Sequence, residues 1–209
     1  MFATTQSRRA LGVMLWRSFF QIQSLHDELQ FVNLTMKKIK PQELDFEIDR
    51  LTNSVQNTVS GDSFDTTVSP LTTADQKLLK KNEWIFDWRK ELKDKAKSVC
   101  KLTIKDNPGI IQGLISIEDR GDHIFMHLIE SAKFNKGKSK IYYGVPGNLV
   151  AFACSLSKEK GYDGVVSFFS KTRLIDHYKE SLGAKVLFGN QMIIDEVAAD
   201  KLILKYFKQ

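Results

Sequence analysis

The feature that most constrains this chain is a run of strand, glycine-bearing turn, helix and strand between Asp122 and Phe169. Asp122–Glu130 reads as a strand from its β-branched and aromatic content and its partial alternation. Tyr142-Tyr143-Gly144-Val145-Pro146-Gly147-Asn148 follows as a turn, and Leu149–Lys160 has a helical pattern. Gly161-Tyr162-Asp163-Gly164 punctuates, after which Val165–Phe169 reads as a buried parallel strand. A turn that opens a helix leaves backbone N–H groups unpaired at the positive end of the dipole, so it suits an anion. A phosphorylated ligand of this chain would sit there.

The segments around this unit give the expected frame. Val99–Ile104 and Ile110–Glu118 alternate as strands about the turn Asp106-Asn107-Pro108-Gly109, and with Ile124–Glu130 they make an antiparallel meander. Ala74–Lys97 favours helix, with Trp84, Ile85, Phe86 and Trp88 as its apolar face against the sheet. Residues 53–73 are rich in Ser, Thr, Asn and Asp and read as a loop excursion. Met192–Asp195 is expected as a strand and Glu196–Phe207 as the final helix. Residues 1–35, with a short apolar run that Arg17 interrupts, are expected to be an accessory helix or a non-native extension. That run is too short for a membrane span. Met36–Lys40 reads as a strand leading into Pro41-Gln42-Glu43-Leu44, so residues 36–209 are expected to be a single domain.

On these residues the chain resembles the GCN5-related N-acetyltransferases. Leu128, Glu130, Ala132 and Asn135 fall at the spacing of that family's fourth-strand pattern, Gly147 fits the last glycine of its cofactor loop, and Gly161-Tyr162 closes the helix. Lys171–Ala184 is similar to the family's last helix, where a tyrosine precedes Leu-Gly. The resemblance spans roughly Asn107 to Phe207. The sequence departs from the pattern at Tyr142 and Val145, and at Pro146, which has no N–H to donate. Tyr178 stands five residues before Gly183 where four is usual, a step of ~100° around a helix.

The resemblance implies an α/β fold: a mixed, mostly antiparallel sheet flanked by helices, with a splayed parallel pair around the cofactor loop. It implies transfer of an acetyl group from acetyl-CoA to an amine acceptor by direct attack. Strand backbone at Leu128 and Glu130 would pair with the pantetheine arm, while the amides of Val145, Gly147, Asn148 and Leu149 would face the pyrophosphate. Lys140 and Lys138 would add charge, with Ser170 and Lys171 at the end of the fifth strand. The amine must lose a proton and the thiolate must gain one, which makes Glu130 the candidate base and Tyr178 the candidate acid. Glu118 and His177 stand in reserve for these roles.

Composition limits the classes. The 209 residues suffice for one good-sized core, and two cysteines, Cys100 and Cys154, argue against a disulfide framework, so a reducing, cytoplasmic setting is expected. A net charge of +6 with pI near 9.2 suits an acidic partner such as coenzyme A or nucleic acid. Twenty-five acidic residues interleave with the basic ones, which disfavours nucleic acid. His123 and His127 on one strand would stand ~13 Å apart, so no metal site is expected. Two alternatives stay open beside the enzyme: a degenerate coenzyme A-binding or interaction module, and a basic nucleic-acid-binding protein. A homodimer is allowed.

Overall fold

The computed structural model describes residues 42–207 other than 53 and 81. The expectations for residues 1–35 and for a strand at Met36–Lys40 lie outside the described residues. Among the described residues seven strands form one sheet. In chain order they are β3 (Thr66–Pro70), β4 (Ser98–Ile104), β5 (Asn107–Asp119), β6 (Ile124–Ser131), β8 (Val166–Phe169), β9 (Lys185–Phe188) and β10 (Gln191–Ile194). Their spatial order is β3-β4-β5-β6-β8-β10-β9. Every pairing is antiparallel except β6 with β8, where α2 (Val145–Glu159) makes the crossover that parallel neighbours require. This is the mixed, mostly antiparallel sheet with one parallel pair that the resemblance implied.

Alternation along the strands sorts two apolar clusters onto opposite faces. Ile115 and Ile129 join one cluster with Leu149, Val150, Ala153 and Cys154 of α2 and with Ala198, Ala199 and Leu202 of α4 (Glu196–Tyr206). Their neighbours Leu114 and Leu128 point the other way, to Leu71, Leu79, Trp84 and Trp88. Trp88 opens the short helix α1 (Trp88–Lys93), capped by the Asp87 carboxylate, which accepts from the Lys90 N–H. The remaining helix, α3 (Ile175–Leu182), ends at Gly183 in the left-handed conformation.

Three sequence expectations are corrected and one strand is added. The stretch expected as a loop, 53–73, carries β1 (Val55–Asn57), β2 (Ser63–Phe64) and β3 among its described residues. With β7 (Tyr142–Tyr143), β1 and β2 form a second small sheet in the order β2-β1-β7, which ties this segment to the turn before α2. Ala74–Lys97 is helical only in the 3-10 turn Thr73–Leu78 and in α1, because the N–H groups of Ile85 and Phe86 between them are taken by a carboxylate. Helix α2 begins at Val145, so Val145–Asn148 form its first turn and only Gly144, at φ 87°, belongs to the turn. Strand β9, unread in the sequence, pairs with β10 as a hairpin.

Candidate functional site

The parallel pair opens partway along. β6 and β8 are in register at Ile124–Val166, Phe125–Ser167 and Met126–Phe168, and no pairing follows. A bulge marks the same point: Ser116 faces Leu128 and Ile117 faces Met126, which leaves His127 as the extra residue of β6. Beyond it the strands part, and the first turn of α2 stands at the mouth. A cleft of about 310 Å³ lies here, lined on one side by Ile129, Glu130 and Ser131 of β6 and on the rim by Lys136, Lys140, Pro146 and Arg173.

The other side of the cleft is a segment of the chain itself. Leu44 donates its N–H to Phe169 O at 2.6 Å and accepts from Lys171 N at 3.2 Å, extending the sheet along β8 where β6 has left it. Five residues on, Asp49 reaches the turn before α2. Its Oδ1 accepts from the Gly144 N–H at 3.1 Å and its Oδ2 from Lys140 Nζ at 2.9 Å. The anion position at the head of this helix is therefore held by a carboxylate of the same chain. Lys171 and Arg173 are both paired with Asp45. Those ion pairs hold the Asp45 carboxyl below its ordinary range, the hydrogen bond from Lys171 contributing most of the lowering.

The glycines of the turn serve close protein packing. A Cβ on Gly144 would stand 2.0 Å from Thr52 Oγ1 and 2.8 Å from Ser54 O. One on Gly147 would stand 1.9 Å from the Tyr206 hydroxyl oxygen and 3.3 Å from Leu51 Cδ2. Val145, Gly147, Asn148 and Leu149 are all buried, and the Asn148 N–H is already bonded to Gly144 O at 3.0 Å. The amides expected to face a pyrophosphate are thus covered by Asp49, Leu51, Thr52, Ser54 and Tyr206.

The two residues expected to move protons are both engaged. Glu130 is 3 % exposed, and its carboxylate accepts from Ile85 N (2.7 Å), Phe86 N (3.3 Å), Trp88 Nε1 (2.8 Å) and Lys136 Nζ (2.6 Å). Four donors on one carboxylate make it a structural tie between β6 and the aromatic loop 84–88. Tyr178 is fully buried against Phe46 and Phe168, and its hydroxyl donates to Phe46 O at 2.7 Å. Burial pushes its pKa well up. In reserve, His177 Nε2 accepts the Ile48 N–H at 2.8 Å, and Lys138 is exposed. Leu128 is buried in the cluster with Trp84 and Trp88.

Two features escaped the sequence reading. One is the pair His127 Nε2 and Glu118 Oε2, 2.6 Å apart at the bulge, with Arg120 also bonded to Glu118 at 2.8 Å. Burial pulls the His127 pKa below its ordinary value, so the ring is neutral at pH 7. The other is the segment Glu43–Asp49, where Glu43, Asp45, Glu47 and Asp49 alternate with Leu44, Phe46 and Ile48; that alternation was visible in the sequence. Among the described residues no three His, Cys, Asp or Glu side chains gather as a metal would require, and no helix is long and apolar enough to cross a membrane.

No protein-family model matches the sequence, and none of the curated proteins matches it. Among solved structures the chain is similar to a ribosomal-protein-S18-alanine N-acetyltransferase from Escherichia coli, at 16% identity and TM-score 0.43 over 62% of this chain and 90% of that one. It is similar also to a spermidine N-acetyltransferase from Vibrio cholerae in complex with CoA and spermine, at 14% identity and TM-score 0.45 over 65% and 98%. A Bacillus subtilis acetyltransferase in complex with CoA follows at 12% identity and TM-score 0.42 over 64% and 99%. Scores this low leave the reading of the site to the chain's own geometry.

Proposed function

We propose that this chain is a divergent GCN5-related acyltransferase, which moves an acetyl group from acetyl-CoA to an amine in the cleft between β6 and the segment Glu43–Asp49. The observation that carries the reading is the parting of the parallel pair after Met126 and Phe168 with α2 opening at its mouth. The parted β6 backbone offers pairing to an extended ligand arm, and Lys136, Lys140 and Arg173 line the mouth, with Lys171 paired to Asp45 beside it. The fit is partial as the cleft stands, because Asp49 takes the Gly144 amide and Lys140 that a diphosphate would need.

An acyl thioester would supply the electrophile; the chain's residues supply its orientation. The His127–Glu118 pair stands at the bulge and is not among the residues that line the cleft. Glu130 keeps an indirect role, holding Ile85 and Phe86 on the cleft wall. Direct attack on the thioester is favoured over an acyl-cysteine step, since burial pushes Cys100 up to about 11 and Cys154 up to about 12, far from ionising at neutral pH.

The test is calorimetric titration with acetyl-CoA, followed by a thiol-release assay on a panel of polyamines, amino acids and peptides. Saturable binding with release on some amine is expected, and no binding at millimolar acetyl-CoA contradicts the proposal. One observation favours a second reading, a binding module without turnover: Gly144 and Gly147 are occupied by protein contacts. Binding with no thiol release across the panel would select it. The cations around the cleft are mostly answered by carboxylates, which disfavours a nucleic-acid surface there.

A further inference from the structure

We infer that the acidic segment Glu43–Asp49 is a built-in competitor for the anionic part of the cleft's ligand, a strap that must yield Lys140 and the Gly144 amide before a phosphorylated ligand can bind. The inference rests on the coenzyme A reading and adds regulation to it. Its first support is the alternation itself. Leu44 and Ile48 turn into the core at 0 % and 6 % exposure, while Phe46 packs on Tyr178 with ring centroids 5.3 Å apart. The acidic residues between them turn toward the cleft and its cations.

Three features of the strap imitate a phosphorylated, extended ligand. Its backbone adds to β8 beside the parted strand, through Leu44 with Phe169 and Lys171. Its Asp49 carboxylate binds where the opening of α2 favours an anion, taking the Gly144 N–H and Lys140 together. Its Asp45 carboxylate neutralises Lys171 and Arg173. Occupancy is exclusive at the second of these positions, since the Gly144 N–H cannot serve Asp49 and a phosphate oxygen at once. With the strap closed, Asp45, Glu47, Asp49 and Glu130 all line the cleft against Lys136, Lys140 and Arg173. A diphosphate would enter among four carboxylates, and like charges at that range repel it.

The side-chain contacts that a diphosphate would replace are two ion pairs, while the Phe46 and Ile48 N–H bonds to Tyr178 and His177 must open if the strap shifts. Asp45 binds through a partly exposed ion pair, its side chain 28 % exposed, and such pairs hold weakly, while Asp49 at 11 % exposed is held by one amide and one lysine. The following residues are fixed by steric fit, Thr52 and Ser54 against Gly144 and Leu51 against Gly147, so the chain has an anchored end about which the strap can shift. If the closed state holds about nine molecules in ten, the apparent affinity for the ligand is about tenfold below that of an open cleft.

The test titrates acetyl-CoA into the whole chain and into Asp49→Asn, Asp45→Asn and the double variant, with Asp200→Asn as a control that removes a carboxylate paired to Lys158 elsewhere. The double variant is expected to bind about tenfold more tightly than the unaltered chain. The control is expected to bind as the unaltered chain does. Equal affinity in the unaltered chain and the double variant overturns the strap while leaving the coenzyme A reading intact. Equal tightening in the control also overturns it, since net charge alone would then explain the gain. Absence of binding in every variant overturns the coenzyme A reading, and the strap's role as its competitor with it. Circular dichroism melts of each variant separate lost folding from lost binding.

Discussion

Two carboxylates flank this cleft and hold backbone N–H groups, yet they are built differently. Glu130 has a side chain 2 % exposed, takes two backbone amides, an indole and one lysine, and lies against the cluster of Trp84, Trp88 and Leu128. Asp49 is 11 % exposed and takes one amide and one lysine. A buried charge surrounded by fixed donors cannot let go without leaving several of them unpaired, so Glu130 is part of the scaffold. A rim carboxylate facing a flexible ammonium can be replaced by another anion. The lesson is that a carboxylate in a cleft is assigned by what its oxygens already bind before it is assigned a role in chemistry.

This contrast breaks most readily at its stronger end. Glu130→Ala strands the Ile85, Phe86 and Trp88 donors and is expected to cost about 3–5 kcal/mol in denaturant unfolding. Asp49→Asn is expected to cost less, about 1 kcal/mol, because only one amide and one lysine depend on that carboxylate. Equal costs would erase the distinction.

Next in size is Gly144→Ala, at a residue with φ 87° whose added Cβ meets Thr52 Oγ1 at 2.0 Å. A loss of about 1–3 kcal/mol is expected from the conformation, with the clash in addition. A neutral result would mean that Thr52 and Ser54 do not hold the strap's anchored end against α2.

The smallest effect concerns pH. His127 has its folded pKa lowered from the ordinary 6.5, chiefly by burial, with Glu118, Glu91, Lys97 and the Phe125 ring as its neighbours. The unfolded chain then binds this proton more readily than the folded one. Stability should be full above pH 6.5 and fall as the pH drops below it, and His127→Gln should flatten that slope. For Asp45 the folded pKa is also lowered, so its contribution is present above 3.8 and lost only as the pH falls further. A slope near pH 6 that survives His127→Gln belongs to another group.

The unit from β6 to β8 was legible in the sequence because its signals are local: apolar runs set off by Gly161–Gly164 and a helix of ordinary length. What was not legible depends on contacts between distant residues. A carboxylate at Glu130 looked like a base because nothing near it in sequence reveals the three donors at 85–88. Gly147 looked like a phosphate contact because its partner, Tyr206, lies at the far end of the chain. Residues 55–70 looked like a loop because their polar composition hides short strands that β4 and β7 complete. The bulge at His127 changes register by one residue and leaves no composition signal.

The central claim is that the Asp49 side of the cleft yields to a phosphorylated ligand while the Glu130 side stays fixed. Amide hydrogen exchange with and without acetyl-CoA tests it directly, comparing the N–H groups of Phe46 and Ile48 on the strap with those of Ile85 and Phe86 on Glu130. The account predicts that saturating acetyl-CoA speeds exchange on the strap and leaves Ile85 and Phe86 as slow as before. Binding with the strap amides unchanged or further protected would contradict it.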